Sequence, residues 1–506
     1  MHYVSLIVEF LRGRPAAVFW AAALSQAALW FAVPALFYSA PPGDVPLVLA
    51  IGHQFRLGSY LGPPLAFWLG ELSFRVAGIY GVYLLSQACI VLALWAVFAL
   101  GRSIVGVRHA VLAVLLMTGI AAYNVPSPQF GPAILALPFW ALALLHYWRA
   151  VGERRRGYWF LLAFDLGLLL LTNYIGLVLI AVLLLFTLAT ERGRHSLRNI
   201  EPWLAVALLA IVIFPHAAWF ARQWPLVAAT VVEEMHANDA MPPAAWLALL
   251  IVLSNLGVAL LVILASGWRL NERERAPEID REPVEPLGRR YVYALALTPI
   301  VVAIALVVTT HKLGPLDHVG ALIVLACLAI VVAAGNRIYL YREHAVSMTW
   351  VGLLTLPPLL AALATWMLPW ASSAELAVGQ PAAAMGQFFA DTFERRTGRP
   401  LPVIAGSDPA LSSLIALSAP SRPDLLLPDR PERSPWTSAA ALRANGGVLV
   451  WRATDTAGTP PASLKAEFPD MVPELPRAFA RPVQGLLPLT RIGWAVLRPA
   501  DTLRQR

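Results

Sequence analysis

The stretch Pro41–Leu72, PPGDVPLVLAIGHQFRLGSYLGPPLAFWLGEL, gathers an acid (Asp44), a histidine (His53), an arginine (Arg56) and a tyrosine (Tyr60) ahead of a rigid Pro63-Pro64 pair. A carboxylate beside cations suits transfer to a hydroxyl: the carboxylate takes the proton, and Arg, Lys or His neutralises a phosphate leaving group. Comparable groups recur between later apolar runs. They are Asn124, Asn173, Tyr174, Arg222, Glu233, Glu234, His236, Asp239, His311, Lys312, Asp317 and His318. Each alone reads first as solvated surface; together they could line one rim. Competing chemistries leave no mark: there is no GxxxxGK[ST], GxSxG, HExxH or dinucleotide-type glycine pattern.

The elements that would hold these residues are mostly apolar. The chain is 58% hydrophobic and 13% charged, with mean hydropathy +0.66, against about 25% charged in ordinary soluble domains. Runs of about 20 apolar residues suffice to cross a bilayer. On that rule the sequence predicts an α-helical polytopic membrane protein of about eleven spans. Their centres fall near Leu29, Val91, Leu116, Leu137, Leu166, Leu183, Ile211, Leu253, Val302, Val324 and Leu359. The run Ala16–Tyr38 is too long for a cleaved leader and reads as a retained anchor. Cys89 and Cys327 both lie in apolar runs, which argues against a disulfide or a metal-type cysteine motif.

Charge orients the spans. Arginines cluster at Arg12/Arg14, Arg102/Arg108, Arg149–Arg156, Arg192–Arg198, Arg269–Arg290 and Arg337/Arg342, on every second connection. Basic loops face the cytoplasm, so the N-terminus is expected inside, while the loop 39–64 and everything after about Trp370 are expected outside. The same rule accounts for the net charge of +8 without nucleic acid.

From about Ser373 the composition changes. LPVIAG, DLLLPD, GGVLVWRA and RIGWAVLRP read as short strands, and AMGQFFADTFERR repeats apolar residues at helical spacing. The expected division is therefore a transmembrane module over residues 1–372 and a small external α/β domain over 373–506. Pro63-Pro64 suits the start of a helix, either one lying at the interface, with Leu65, Phe67, Trp68, Leu69, Leu72 and Phe74 against lipid and Glu71, Ser73 and Arg75 outward, or simply the beginning of the next span. Asp165, inside WFLLAFDLGLLLL, is either a functional acid or a helix-packing residue.

These motifs resemble the polytopic family 39-type glycosyltransferases of the GT-C class, related to protein mannosyltransferases and to the aminoarabinose transferase of lipid A. The similarity rests on Gly43-Asp44, LGSY at Leu57–Tyr60, GPPLAFWL at Gly62–Leu69, VPSPQFGPAILALPFWALAL at Val125–Leu144, TNYIG at Thr172–Gly176 and PHAAWF at Pro215–Phe220. The tail, with TGRPLPVIAG and PLTRIGWAVLRP, resembles the external domain of a bacterial subgroup.

The resemblance implies a polyprenyl-phosphate-linked sugar as donor and an envelope glycolipid, polysaccharide or protein hydroxyl as acceptor. It implies catalysis by Asp44, acting as base or as an acid associated with a divalent metal, and a place for Tyr174 in the substrate site. Placement in the external loops adds His53, Arg56, Tyr60, Arg222, Glu233, Glu234, His236, His311 and Lys312 to the donor and acceptor site. The protein is then expected in a bacterial inner membrane, with its C-terminal domain in the periplasm. The chain departs from the family where Val45 replaces a Glu, Gly62 a His or Lys, Gln129 an Asp and Asn173 a Lys. The competing expectations are a lipid or solute transporter, disfavoured by the lack of an internal repeat, and a catalytically silent scaffold.

Overall fold

The structure is a computed structural model that describes residues 9–225, 242–266, 278–311 and 319–500. Its contacts divide into two compact units. One comprises Met1–Ala32, Leu61–Leu65 and Leu84–Leu359; the other comprises Val33–Tyr60, Ala66–Tyr83 and Leu360–Arg506.

Among the described residues, six helices are long and apolar enough to cross a membrane: Pro15–Phe37, Leu65–Val105, Pro132–Gly152, Glu201–Arg222, Pro286–Thr310 and Glu343–Ala371. A seventh candidate is the pair Pro243–Ser254 and Leu256–Ala265, bent by 45°. These coincide with seven of the expected centres. Of the other four, three fall on the helices Val107–Met117, Tyr158–Leu170 and Gly176–Ala189, of 11, 13 and 14 residues, and Val324 lies just before the 8-residue helix Ala326–Ala333. At about 1.5 Å per residue the longest of these reaches about 21 Å, short of a hydrocarbon core of about 30 Å. Among the described residues the expectation of about eleven full-length spans is reduced to six or seven by length. Hydropathy counts apolar residues whether or not they are helical, and the run before Ala326 is buried in turns.

The outer faces of the long helices are apolar: Ile211 is 70% exposed and Phe214 69%. An uncovered surface of that kind requires lipid as its solvent, and the chain is a multi-pass membrane protein.

Inside the first unit, aromatic side chains hold short and long helices together. Tyr147 stacks on Tyr291 at 5.9 Å, Phe186 meets Tyr291 edge-on at 5.4 Å, and the Tyr291 hydroxyl donates to the Leu144 carbonyl at 2.6 Å. Glycine permits one very close approach: a Cβ on Gly257 would lie 2.4 Å from the Gly119 carbonyl oxygen.

The basic connections also meet one another. Arg12 donates to the Glu278 carbonyl at 2.6 Å. Strand β1 (Glu278–Asp280) pairs antiparallel with β2 (Arg337–Tyr339). Arg192 reaches both Glu285 at 2.8 Å and the Gly152 carbonyl at 3.0 Å, and Arg156 reaches Glu201 at 3.3 Å. Five of the six arginine-rich segments thus share one end of the unit.

Asp165 is a helix-packing residue. Its carboxylate lies 2.5 Å from His146 Nδ1 on the neighbouring Pro132–Tyr147 helix, with Asp165 5% and His146 9% exposed. A buried group stripped of its partner costs about 1–3 kcal/mol. Asp165→Ala is therefore expected to lower stability by about that amount, read as an earlier unfolding midpoint in detergent, and His146→Ala to match it.

The second unit is built on a five-stranded sheet of order β4-β3-β5-β7-β6. Here β3 is Val403–Gly406, β4 Asp424–Leu426, β5 Gly447–Arg452, β6 Pro473–Phe479 and β7 Thr490–Leu497. The first three run parallel, while β7 is antiparallel to β5 and β6. Period-two alternation sends Ile404, Val448 and Val450 to one face, against Phe389 and Phe393 of helix Ala382–Thr397 and Ile415 of helix Pro409–Ser418. Val403, Ala405, Leu449 and Trp451 go to the other, with Leu442, Leu464 and Phe468. Parallel strands need both faces covered. The short helix Val45–Gly52, every residue of it buried, packs on Pro409–Ser418 and β4. The loop after the first span is therefore part of this unit's core.

Candidate active site

Gly43, at φ +55, turns the chain into the Val45–Gly52 helix and places Asp44 at its N-cap. Most such acids cap the first turn. Asp44 is exposed and caps nothing, so its carboxylate is available. Its charge is felt at Tyr60. Burial pushes the Tyr60 phenol up; the nearby Arg433 guanidinium pulls it down, and the Asp44 charge adds a further upward push. Arg433 stacks on the Tyr60 ring at 4.8 Å. Carboxylate, phenol and guanidinium come together here, and only the first two were candidates from the sequence.

The segment between Asp44 and Tyr60 is held by long-range bonds. Gln54 donates to Asp424 at 2.6 Å, Trp68 donates to the Arg56 carbonyl at 2.8 Å, and His53 Nδ1 lies 3.1 Å from Glu71 Oε1. Glu71 is 2% exposed. It also receives Arg75 at 2.9 Å on Oε1 and Arg422 at 2.9 Å on Oε2. Arg422 sits at φ +48 and covers the Phe74 ring at 4.3 Å. Burial pulls the Arg422 guanidinium below its ordinary value, against the upward pull of Glu71.

The amphipathic expectation for the helix after Pro63-Pro64 fails at Glu71, while Leu72 and Arg75 are exposed. Glu71 is inside, because two guanidiniums and the His53 ring converge on the carboxylate. The helix does begin at Leu65 and breaks at Ala77 and Gly78, whose backbones are not helical.

The other unit holds Tyr174, whose hydroxyl is 3.0 Å from His216 Nε2. The rings stack at 5.9 Å, and Trp219 and Phe220 extend the aromatic cluster. Burial pushes the Tyr174 phenol up to about 12. The sequence carried His216 only as a letter of PHAAWF. Arg222, at the end of that helix, and His311, at φ +56 after Thr310, are exposed. Glu233, Glu234, His236 and Lys312 lie outside the described residues.

Three departures from the family pattern have local causes. Val45 is 0% exposed, in a core that would not accept a charge. Asn173 accepts the Ile175 amide at 2.9 Å, closing the turn with its side chain. Gly62 has φ +127, which side-chain-bearing residues rarely adopt. Gly62→Lys, which restores the family's charge, is expected to cost about 1–3 kcal/mol through backbone strain, seen as a lower unfolding midpoint. Gln129 is exposed, and nothing in the structure explains it. Among the described residues no three His, Cys, Asp or Glu side chains gather to hold a divalent metal.

A multi-pass helical membrane module with a mixed α/β region near its C-terminus defines the class of protein. Residues 62–219 match the family of dolichyl-phosphate-mannose-protein mannosyltransferase. Over that segment, about a third of its length, the chain is similar to this family of glycosyltransferases. The matched residues include Pro63-Pro64, Glu71, Tyr174 and His216, and begin after Asp44.

Among solved structures the fold resembles ArnT from Cupriavidus metallidurans in the apo state, at 14% identity and TM-score 0.50, over 95% of this chain and 97% of that one. ArnT of the same organism bound to undecaprenyl phosphate aligns at 12% identity and TM-score 0.44, over 95% and 97%. The Archaeoglobus fulgidus oligosaccharyltransferase with Zn and sulfate aligns at 13% identity and TM-score 0.42, over 80% of this chain and 62% of that one. No curated protein matches the chain.

Proposed function

We propose that the protein moves a monosaccharide from a polyprenyl-phosphate donor to a hydroxyl of a cell-envelope glycolipid, polysaccharide or protein, at the outer face of a bacterial inner membrane. The observation that carries this reading is Asp44: an exposed, uncapped carboxylate beside Tyr60, in a chain whose segment 62–219 is that of lipid-phosphate sugar transferases. The acceptor hydroxyl gives its proton to Asp44 as its oxygen bonds to the anomeric carbon. The bond from that carbon to the phosphate oxygen breaks, and the lipid phosphate leaves with the electron pair. Arg433 and Arg56 supply positive charge toward the departing phosphate, with His53 as a further substrate-binding residue, and a single displacement inverts the anomeric centre. Tyr174, Arg222, His311, Glu233, Glu234, His236 and Lys312 are proposed as further substrate-binding residues, each to be tested by its own substitution.

The sidedness has its own support. Five arginine-rich connections meet at one end of the first unit, as cytoplasmic loops do. From the alternation of basic loops along the sequence we place the α/β region over 373–506 outside, where a lipid-linked donor is available and nucleotide sugars are not.

The test is turnover of purified protein with polyprenyl-phosphate sugars and an envelope lipid extract, followed as release of polyprenyl phosphate. Release that requires both components is the expected result. Donor left intact across monosaccharides and extracts, or solute uptake into proteoliposomes without lipid, would overturn the reading.

A further inference from the structure

Two membrane-crossing helices, Pro15–Phe37 and Glu343–Ala371, end at a recess whose remaining walls are Ser39, the segment from Ala374 to Gly379 and the connection between β6 and β7. Phe37, Thr365, Pro369, Val483 and Leu487 line it with Arg481, around a small cavity of about 30 Å³ that opens to solvent. The connection is fixed against the helix end: the Leu486 amide donates to the Pro369 carbonyl at 2.7 Å. Gly485 approaches so closely that a Cβ there would lie 1.9 Å from the same oxygen.

Arg481 is the unusual residue of this recess, with a side chain only 10% exposed. It donates through Nη2 to Glu375 at 3.1 Å and through Nε to the Pro488 carbonyl at 3.4 Å. Its Nη1 has no hydrogen-bond partner among the described residues. The second oxygen of Glu375 is taken by Arg452 at 3.2 Å, so that carboxylate is shared between two guanidiniums. Beside the recess, the last turns of the crossing helix expose Trp366 (66%), Met367 (56%) and Trp370 (62%), and the connection exposes Leu486 (65%). Tryptophans at the end of a span mark the headgroup level of a bilayer. A guanidinium with a donor to spare matches a phosphate.

We infer that this recess binds the phosphodiester headgroup of a bilayer glycerophospholipid, with Arg481 Nη1 on the phosphate and the acyl chains running down the face marked by Met367 and Trp366. The occupant is a resident lipid that seats the β6–β7 connection on the membrane, separate from the Asp44–Tyr60 group.

The test uses the full-length protein in detergent, with phosphatidylglycerol binding read by native mass spectrometry and by the shift in unfolding midpoint. Wild type is expected to retain one phosphatidylglycerol and to gain stability from it. Arg481→Gln is expected to weaken retention about tenfold, the loss of one charge-assisted contact. Val483→Trp fills the recess while leaving the arginine in place, and it is expected to abolish retention even if Arg481→Gln fails to fold. Undiminished retention in Val483→Trp would overturn the inference. So would equal retention of diacylglycerol, which lacks the phosphate. Retention of polyprenyl phosphate but of no glycerophospholipid would also overturn it, by assigning the recess to the donor.

Discussion

Asp44→Asn is expected to lower the turnover number by about 10²–10⁴, the range a positioned general base contributes, while the apparent KM for donor stays within a few-fold. The amide keeps the shape of the side chain and removes only its capacity to take a proton. A second measurement separates chemistry from folding. Asp44 is exposed, caps nothing and makes no side-chain hydrogen bond to its helix, so the unfolding midpoint of the variant should equal that of wild type. Turnover within tenfold of wild type would remove Asp44 from the mechanism. A lowered midpoint would show that the side chain supports the fold in a way the geometry does not contain.

Glu71→Leu carries the largest expected cost in stability. The carboxylate is 2% exposed and receives Arg422, whose side chain is 18% exposed. Breaking a buried pair by removing one partner costs about 3–5 kcal/mol, because a charge is left buried and uncompensated. Arg75, half exposed, adds little on its own account, since exposed pairs are worth about 0–1 kcal/mol.

The sign of the Arg422 perturbation sharpens the expectation. Its guanidinium is held below the ordinary value because burial outweighs the attraction of Glu71, so the charged state already carries a desolvation cost in the folded protein. Glu71→Leu combined with Arg422→Met should therefore recover most of what Glu71→Leu loses, as replacement of buried ion pairs by apolar residues does. Unfolding midpoints of the two single variants and the double variant in one detergent measure this. Additive losses would mean that the two residues act independently.

Glu71 also shows where sequence reading stops. Its neighbours Leu69, Leu72 and Phe74 made it look like the polar side of an interfacial helix. The partner that draws it inside is 351 residues away and leaves no local trace. Local patterns were legible. LPVIAG, DLLLPD, GGVLVWRA and RIGWAVLRP became β3, β4, β5 and β7, and AMGQFFADTFERR became the helix Ala382–Thr397. Strand β6 was not anticipated, since PELPRAF carries two prolines; it stands at the sheet edge, where a missing amide is tolerated. Asp44 and Tyr60 were visible as residue types in one loop. Arg433 and His216 were not singled out, because a stacking arginine or a hydrogen-bonded histidine has no spacing rule. The count of spans was overestimated for a related reason: hydropathy reads composition, while the lengths of Val107–Met117 and Gly176–Ala189 are set by where turns interrupt the helix.

The backbone passes between the two compact units after residues 32, 60, 65, 83 and 359. The sheet after residue 400 shares its unit with the helix Val45–Gly52, with Gln54, which grips Asp424, and with Glu71, which grips Arg422. Heredity is constrained by that interleaving. A recombination event that exchanged only the last quarter of the gene for a relative's would deliver a tail whose counterparts near residues 45–75 were selected beside a different one. The ends of this gene are expected to be inherited as a matched pair, and chimeras that respect the pair to survive where simple tail swaps fail.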